Sequence, residues 1–406
     1  MPKSKATSSA DPAKHEPARS AKLDVTKKQP EPNEKPPIPD IIINETQDNK
    51  PSRRKPMTKK KKILIATGLI TIIIVGIVAT RYALNGKKPT IVNRIKPKVK
   101  KEAVKPKTLP SPLTGVEVAP ELAQKPVVAV MIENLYPDAR PQSGLSSAGV
   151  VYETLAEGGI TRYQAFFGDT YPSDLGPVRS LRAHYLRWGL EYDAPVVHAG
   201  GSADALDLIT PLGMKNLDQF YNGTYFRRIT TRYAPHNLYT TGALLEQLVA
   251  ARGFNTTPTF APWPRKDDAK SATPTAATIT VDPSYVDYRS SYTYDPATNS
   301  YARFIRGVAD IDAATNAQIK PKNVIVLKAS VTYAPNRVGK QTTYIQTVGS
   351  GTGYVFMDGA VQAITWRKTS DKARTELLDA SSTPVKLNRG QSWVCVIPTE
   401  KSVTYQ

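Results

Sequence analysis

The chain has one cysteine, Cys395, in 406 residues, so it can form no intrachain disulfide and no zinc site built on cysteines. The neighbours of that cysteine, Trp393-Val394-Cys395-Val396-Ile397, have the composition of a buried strand, and a small core residue is its expected role. Histidine is also scarce, at four. The Gly-x-Ser-x-Gly elbow of α/β-hydrolases and the His-Glu-x-x-His helix of zinc hydrolases are both missing. Gly158, Gly159, Gly200 and Gly201 are too few and too scattered to cradle phosphates, and they suit turns instead. Acidic residues are scarce in only one place. Residues 1–110 carry 26 Lys/Arg against 9 Asp/Glu, whereas the remainder carries 29 against 26. The formal charge of +20 therefore sits almost wholly in residues 1–110. A nucleic-acid groove needs its charge on a folded surface, so no nucleic-acid partner is expected.

Residues 1–62 hold almost no aromatics and many Pro, Lys, Ser, Glu and Asn, a composition that cannot bury enough apolar surface to offset the entropy of ordering. A disordered tail is expected there. Residues 63–84 read ILIATGLITIIIVGIVATRYAL, with no charge before Arg81. About 20 such residues cross a hydrocarbon core of roughly 30 Å, so a transmembrane helix is expected, with the bilayer as its partner. A cleaved signal peptide would be shorter and nearer the N-terminus. Flanking charge is nearly balanced, with Lys59–Lys62 before the run and Arg81, Lys87, Lys88 and Arg94 among those after it. The four abutting lysines favour a cytoplasmic N-terminus. Residues 85–110 alternate Lys, Val and Pro and predict an extended stalk.

The pattern changes at Ser111. Pro126–Ile132, Gly149–Leu155, Arg162–Phe167 and Ala194–His198 read as strands, while 180–192, 202–209 and 240–253 read as helices. This mixture predicts an α+β or α/β N-terminal domain over 111–255. Residues 255–276 are dense in Pro and Thr and mark a boundary. Beyond them strand follows strand (277–281, 300–306, 323–327, 342–348, 353–357, 361–367, 392–397), with Asp358-Gly359 at a hairpin turn. A mainly antiparallel β C-terminal domain over 277–398 is expected. Tyr285, Tyr288, Tyr292, Tyr294 and Tyr301 fall at strand spacing, which suits core packing better than sugar stacking.

The strings VVYETLAEGGITRYQAFF (150–167), GPVRSLRAHYLRWGLEYDAPVVHAGGS (176–202) and APHNLYT (234–240) resemble the N-terminal domain of YerB-like proteins. NVIVL (323–327), GSGTGYVFMDGAVQAITWRK (349–368) and LNRGQSWVCVIP (387–398) resemble that family's C-terminal domain. The resemblance spans about 111–398. It implies a bacterial extracytoplasmic envelope protein, single-pass at the cell membrane, and supplies no reaction. One departure stands out: the family's lipoproteins carry a lipidated N-terminal cysteine, and here the apolar run takes its place.

Candidate chemistry gathers where polar residues follow strands onto loops. Glu153 or Glu157 could act as general acid on a glycan, and Ser202 could pair with His198 or His236 as nucleophile and base. Two histidines and a carboxylate could hold a metal, although the spacing selects none of these schemes and no metal or cofactor is implied. Arg162, Arg179, Arg182, Ser202, Arg232 and Asn237 are candidates for binding a ligand. Two functional readings remain open. The leading one is a membrane-anchored ligand- or partner-binding module of the envelope, and the alternative is an enzyme acting on peptidoglycan or another wall glycan. A binding module predicts an arginine cleft without a nucleophile–base contact. An enzyme predicts a carboxylate whose pKa is raised by burial, beside an open groove.

Overall fold

The computed structural model describes residues 107–406. The expected tail, transmembrane helix and nearly all of the stalk lie outside the described residues. Among the described residues no helix is long and apolar enough to cross a membrane. Leu109–Pro110, placed at the end of the stalk by composition, already pair with Glu117–Val118 in a short antiparallel ladder.

Ten strands form one mixed sheet. From the first half come β1 (Val128–Glu133), β2 (Val150–Leu155), β3 (Thr161–Phe167), β4 (Val196–His198) and β5 (Asn216–Asp218). The second half supplies β6 (Asn323–Ala329), β7 (Gly349–Met357), β8 (Ala360–Lys368), β9 (Glu376–Leu378) and β10 (Ser392–Pro398). Their order across the sheet is β9-β8-β7-β6-β10-β2-β3-β1-β4-β5. The join between halves is the parallel pairing of β10 with β2, from Ser392 opposite Val150 to Cys395 opposite Glu153. On its other edge β10 pairs in parallel with β6 along seven residues. The expected antiparallel character of the second half holds for β6 through β9. Asp358 and Gly359, both at positive φ, turn β7 into β8 as a two-residue hairpin that only such residues accommodate.

Both faces of the sheet are covered, which is why β1, β2, β3 and β10 are buried at every position and show no alternation. Helices α1 (Ala183–Glu191) and α2 (Ala203–Leu212) cover one face, where Tyr152, Phe166, Tyr185, Trp188 and Val394 pack together. The other face meets α3 (Gly242–Ala251) and a second, five-stranded antiparallel sheet built from 278–281, 290–295, 300–305, 308–309 and 403–405. Sequence reading missed Ser290–Asp295 and Val403–Tyr405, the first because a polar SSYTYD string hides its alternation. Tyr292 and Tyr301 are buried between the two sheets, and Tyr288 and Tyr294 are also buried, but Tyr285 is exposed, against the expectation of core packing. Ser202 caps α2 and Thr241 caps α3 through their side-chain oxygens, whereas the helix expected from residue 180 begins only after Arg182.

The Pro/Thr-rich 255–276 segment is not a boundary between two cores. Buried Trp263 donates from Nε1 to the Thr375 carbonyl at 2.7 Å, and Arg265–Lys266 pair in parallel with Leu387–Asn388. Proline density there sets an extended backbone, which can lie flat on the sheet as readily as it can form a hinge. The segments expected to fold as two domains thus share one sheet. Expressed separately, residues 107–276 and 277–406 are expected to show no cooperative urea transition by tryptophan fluorescence, and to regain one when co-expressed. An independent transition for 277–406 alone would contradict the shared core.

Candidate functional site

Parallel strands β1, β2, β4 and β5 end along one edge of the sheet, the edge where open α/β sheets tend to bind ligands. Segment 178–182 crosses this edge, bridging Val178 to Ile132 and Leu181 to Gly201. It brings Arg179 and Arg182 beside the strand-end residues Glu133, Glu157, Arg162 and His198. Several sequence candidates do converge here, but they neutralise one another. Arg182 grips both carboxylate oxygens of Glu157 and donates to the Leu181 carbonyl at 2.7 Å. Glu133 lies 3.0 Å from Arg179 Nε and accepts from His236 Nδ1 at 2.9 Å. Arg162 is buried, donates from Nη1 to the Ser180 carbonyl at 2.7 Å and has no partner for Nε. Burial, with Arg182 beside it, lowers that guanidinium to about 10.

The proposed catalytic pairings do not form. His198 is fully buried, its Nδ1–H donating to the Gly200 carbonyl at 2.9 Å and its Nε2 meeting the Asn216 side-chain amide at 2.8 Å. Gly200 at φ +61° makes the turn that presents this carbonyl. Ser202 accepts from the Ala205 amide as a helix cap, so neither His198 nor His236 activates it. The two histidines have different partners, and among the described residues no group of three or more His, Cys, Asp or Glu could hold a metal. Burial pushes the Glu157 carboxyl up, but the hydrogen bond and charge of Arg182, with Arg162 beyond, outweigh it and leave the group below its ordinary value. A general acid needs the opposite shift.

Glu153, the other proposed acid, is on neither an edge nor a groove. It faces the five-stranded sheet, where its Oε2 pairs with Arg303 Nη2 at 2.8 Å and accepts from Trp393 Nε1 at 2.9 Å. Arg303 is fully buried, also pairs with Asp310, and stacks 4.3 Å from the Trp393 ring. The sequence offered no hint of this, because the partner of Glu153 is 150 positions away. On the opposite face, Glu191 accepts from Tyr152 at 2.7 Å, from Arg374 at 3.0 Å and from buried Lys368 at 3.2 Å. Removing one partner of such a buried set leaves a bare charge, so Arg303→Met is expected to cost about 3–5 kcal/mol in urea unfolding. A loss within experimental error would mean that this charge set is not holding the two sheets together.

A cleft of about 460 Å³ opens beside this edge, lined by Arg227, Arg228, Arg232, Ser143, Thr230 and Tyr239 among others. Its scaffold is a small ladder pairing Arg227–Arg228 with Leu238–Tyr239. Arg227 pairs with Asp174 at 2.5 Å. Arg228 donates to Asn237 Oδ1 at 2.7 Å, and Asn237 is itself tied to the Ile229 carbonyl. Arg232 donates to the Ala139 and Pro141 carbonyls at 3.0 and 2.6 Å and to the Tyr239 hydroxyl at 2.8 Å. Among the described residues, then, Arg228 and Arg232 have no carboxylate partner, and neutral acceptors hold them in place. Of the sequence candidates Arg232 lines this cleft, and Asn237 holds its Arg228. Arg227 and Arg228 were missed, although RRITTR (227–232) is the visible signal: three arginines in six residues of a nearly neutral half.

His184, on α1, is buried with no partner for Nε2, and burial, reinforced by Arg182 and Arg162, lowers it to about 3. Its folded value lies below the unfolded 6.5, so the stability it contributes is complete above pH 6.5 and drains away as pH falls toward 3. Carboxylates such as Glu157, also lowered, drain only below about 4.5. Between pH 7.5 and 5 the protein is expected to lose about 2 kcal/mol of unfolding free energy that His184→Phe does not lose. Identical pH profiles for the two proteins in urea titrations would reject this.

Fold and site define a mainly β protein with few helices, one shared sheet and a preformed cationic cleft. Residues 113–255 match the "Protein of unknown function (DUF3048) N-terminal domain" and residues 279–394 match its C-terminal domain. A Bacillus subtilis (strain 168) protein named "Putative lipoprotein YerB" is 30% identical over 307 residues, covering 72% of this chain and 87% of that protein. The crystal structure of the YerB protein from Bacillus subtilis is similar with a TM-score of 0.65 at 27% identity, over 73% of this chain and 99% of that chain. The chain belongs to this YerB-like family, whose function is unknown.

Proposed function

We propose that this protein is an extracytoplasmic binding module, held at the cell membrane by a helix over residues 63–84, that captures an anionic component of the envelope in the Arg227–Arg228–Arg232 cleft. The observation that carries this reading is that Arg228 and Arg232 line the cleft without carboxylate partners, held by an amide, carbonyls and a hydroxyl. Guanidiniums fixed in this way lose little entropy on meeting a carboxylate or phosphate, and their fork geometry matches both. The membrane placement rests on the apolar run and on the relative's name as a lipoprotein. That relative's lipid would need a cysteine near its N-terminus, and the single cysteine here is a buried strand residue.

The enzyme reading has lost its acids, since Glu153 is a core ion partner and Glu157 is held ionised by Arg182. Full-length protein in nanodiscs is expected to co-sediment with purified peptidoglycan carrying its anionic polymers, and to release no soluble fragments. Arg228→Gln and Arg232→Gln should each weaken retention about tenfold, and added salt should weaken it further. Undiminished retention in the double variant would remove the cleft from consideration. Soluble fragments that disappear in Glu157→Gln would replace the binding reading with the hydrolytic one.

A further inference from the structure

A second cavity, of about 350 Å³, lies across the 139–141 strand of chain from the arginine cleft. Its walls come from both halves of the chain: Tyr136, Pro137 and Pro141 from the loop after β1, and Ile305, Val308 and Ile311 from the second half. Size and apolar lining are those of a small-molecule site, which needs only one or two well-placed polar groups to orient its ligand. Arg140 is such a group. Its Nε donates to Asn134 Oδ1 at 2.9 Å and its Nη2 to the Asn134 carbonyl at 3.2 Å. The guanidinium is flanked by the Tyr136 and Tyr288 rings, with centroids at 5.5 and 5.3 Å.

The charges around the cavity leave Arg140 unmatched. Arg306 is paired with Asp287 at 2.8 Å, and Asp310 is committed to Arg303. Among the described residues Arg140 pairs with no carboxylate, and burial lowers it below its ordinary value despite the opposing pull of Tyr163 and the more distant Glu153. A desolvated cation without a counter-ion, on the wall of an apolar cavity, is complementary to an anion carried on an apolar body. We propose that this cavity binds an organic acid, its apolar body between Tyr136, Val308 and Ile311 and its free carboxylate on Arg140.

The shared chemistry is an apolar carboxylate, which could be a small aryl or alkyl acid or the C-terminus of a peptide. Calorimetric titration of the full-length protein in nanodiscs would use two matched pairs: 4-phenylbutyrate against 4-phenylbutanamide, and an N-acetylated dipeptide ending in leucine against its C-terminal amide. At least one acid is expected to bind saturably and its amide at least tenfold more weakly, with the tighter acid identifying the source. Arg140→Gln should abolish the preference for acid over amide. Val308→Trp changes an exposed rim residue and should block both acids without disturbing the fold, so it tests the site even if Arg140→Gln misfolds. Equal binding of acid and amide, no saturable binding of either acid at millimolar concentration, or full acid binding in Val308→Trp would each overturn the assignment.

Discussion

Two carboxylates of the first half, Glu153 and Glu191, are buried in opposite faces of the sheet, and every cation that neutralises them comes from the second half. Adjacent residues on β2 show how this works. Tyr152 points to one face and donates to Glu191, while Glu153 points to the other and meets Arg303. A buried carboxylate without its partner is so costly that neither half can bury its own strands alone. The parallel pairing of β2 with β10 and the two charge sets therefore require each other. In the native state Arg303, Lys368 and Arg374 of the second half complete the first half's buried charges, and β10 lies at the centre of the sheet.

The same constraint decides which polar residues remain available for a ligand. Acids at the core and at the strand ends are consumed by arginines: Glu153 by Arg303, Glu157 by Arg182, and Glu133 by Arg179 and His236. Arg228, Arg232 and Arg140 are held instead by carbonyls, side-chain amides and a hydroxyl. That leaves Arg228, Arg232 and Arg140 oriented but without a carboxylate partner among the described residues, the first two in one concavity and Arg140 in another. Arg232 donates to the carbonyls on both sides of Arg140, so the two concavities are mechanically joined.

Strand positions were largely legible in the sequence because both-face burial writes itself as unbroken apolar runs, as in Val128–Ile132 and Trp393–Ile397. The Asp358-Gly359 turn and the family were legible for the same local reason: each is encoded within a few consecutive residues. The candidate site was less so. Arg232, one of the ligand-binding candidates, lines the cleft, but Glu153 was cast as an acid because its exposure could not be read locally.

By itself the sequence determined the apolar run, the charge imbalance between tail and remainder, the local strands and turns, and the near absence of cysteine, all of which depend on neighbours along the chain. Only the tertiary structure decided that the two family domains share one sheet, that Glu153 and Glu191 are sealed by cations more than a hundred positions away, and that Arg140 and Arg228 are left without counter-ions. Burial and charge pairing are properties of residues brought together in space. For a sheet whose central strand comes from the end of the chain, no window along the sequence contains them.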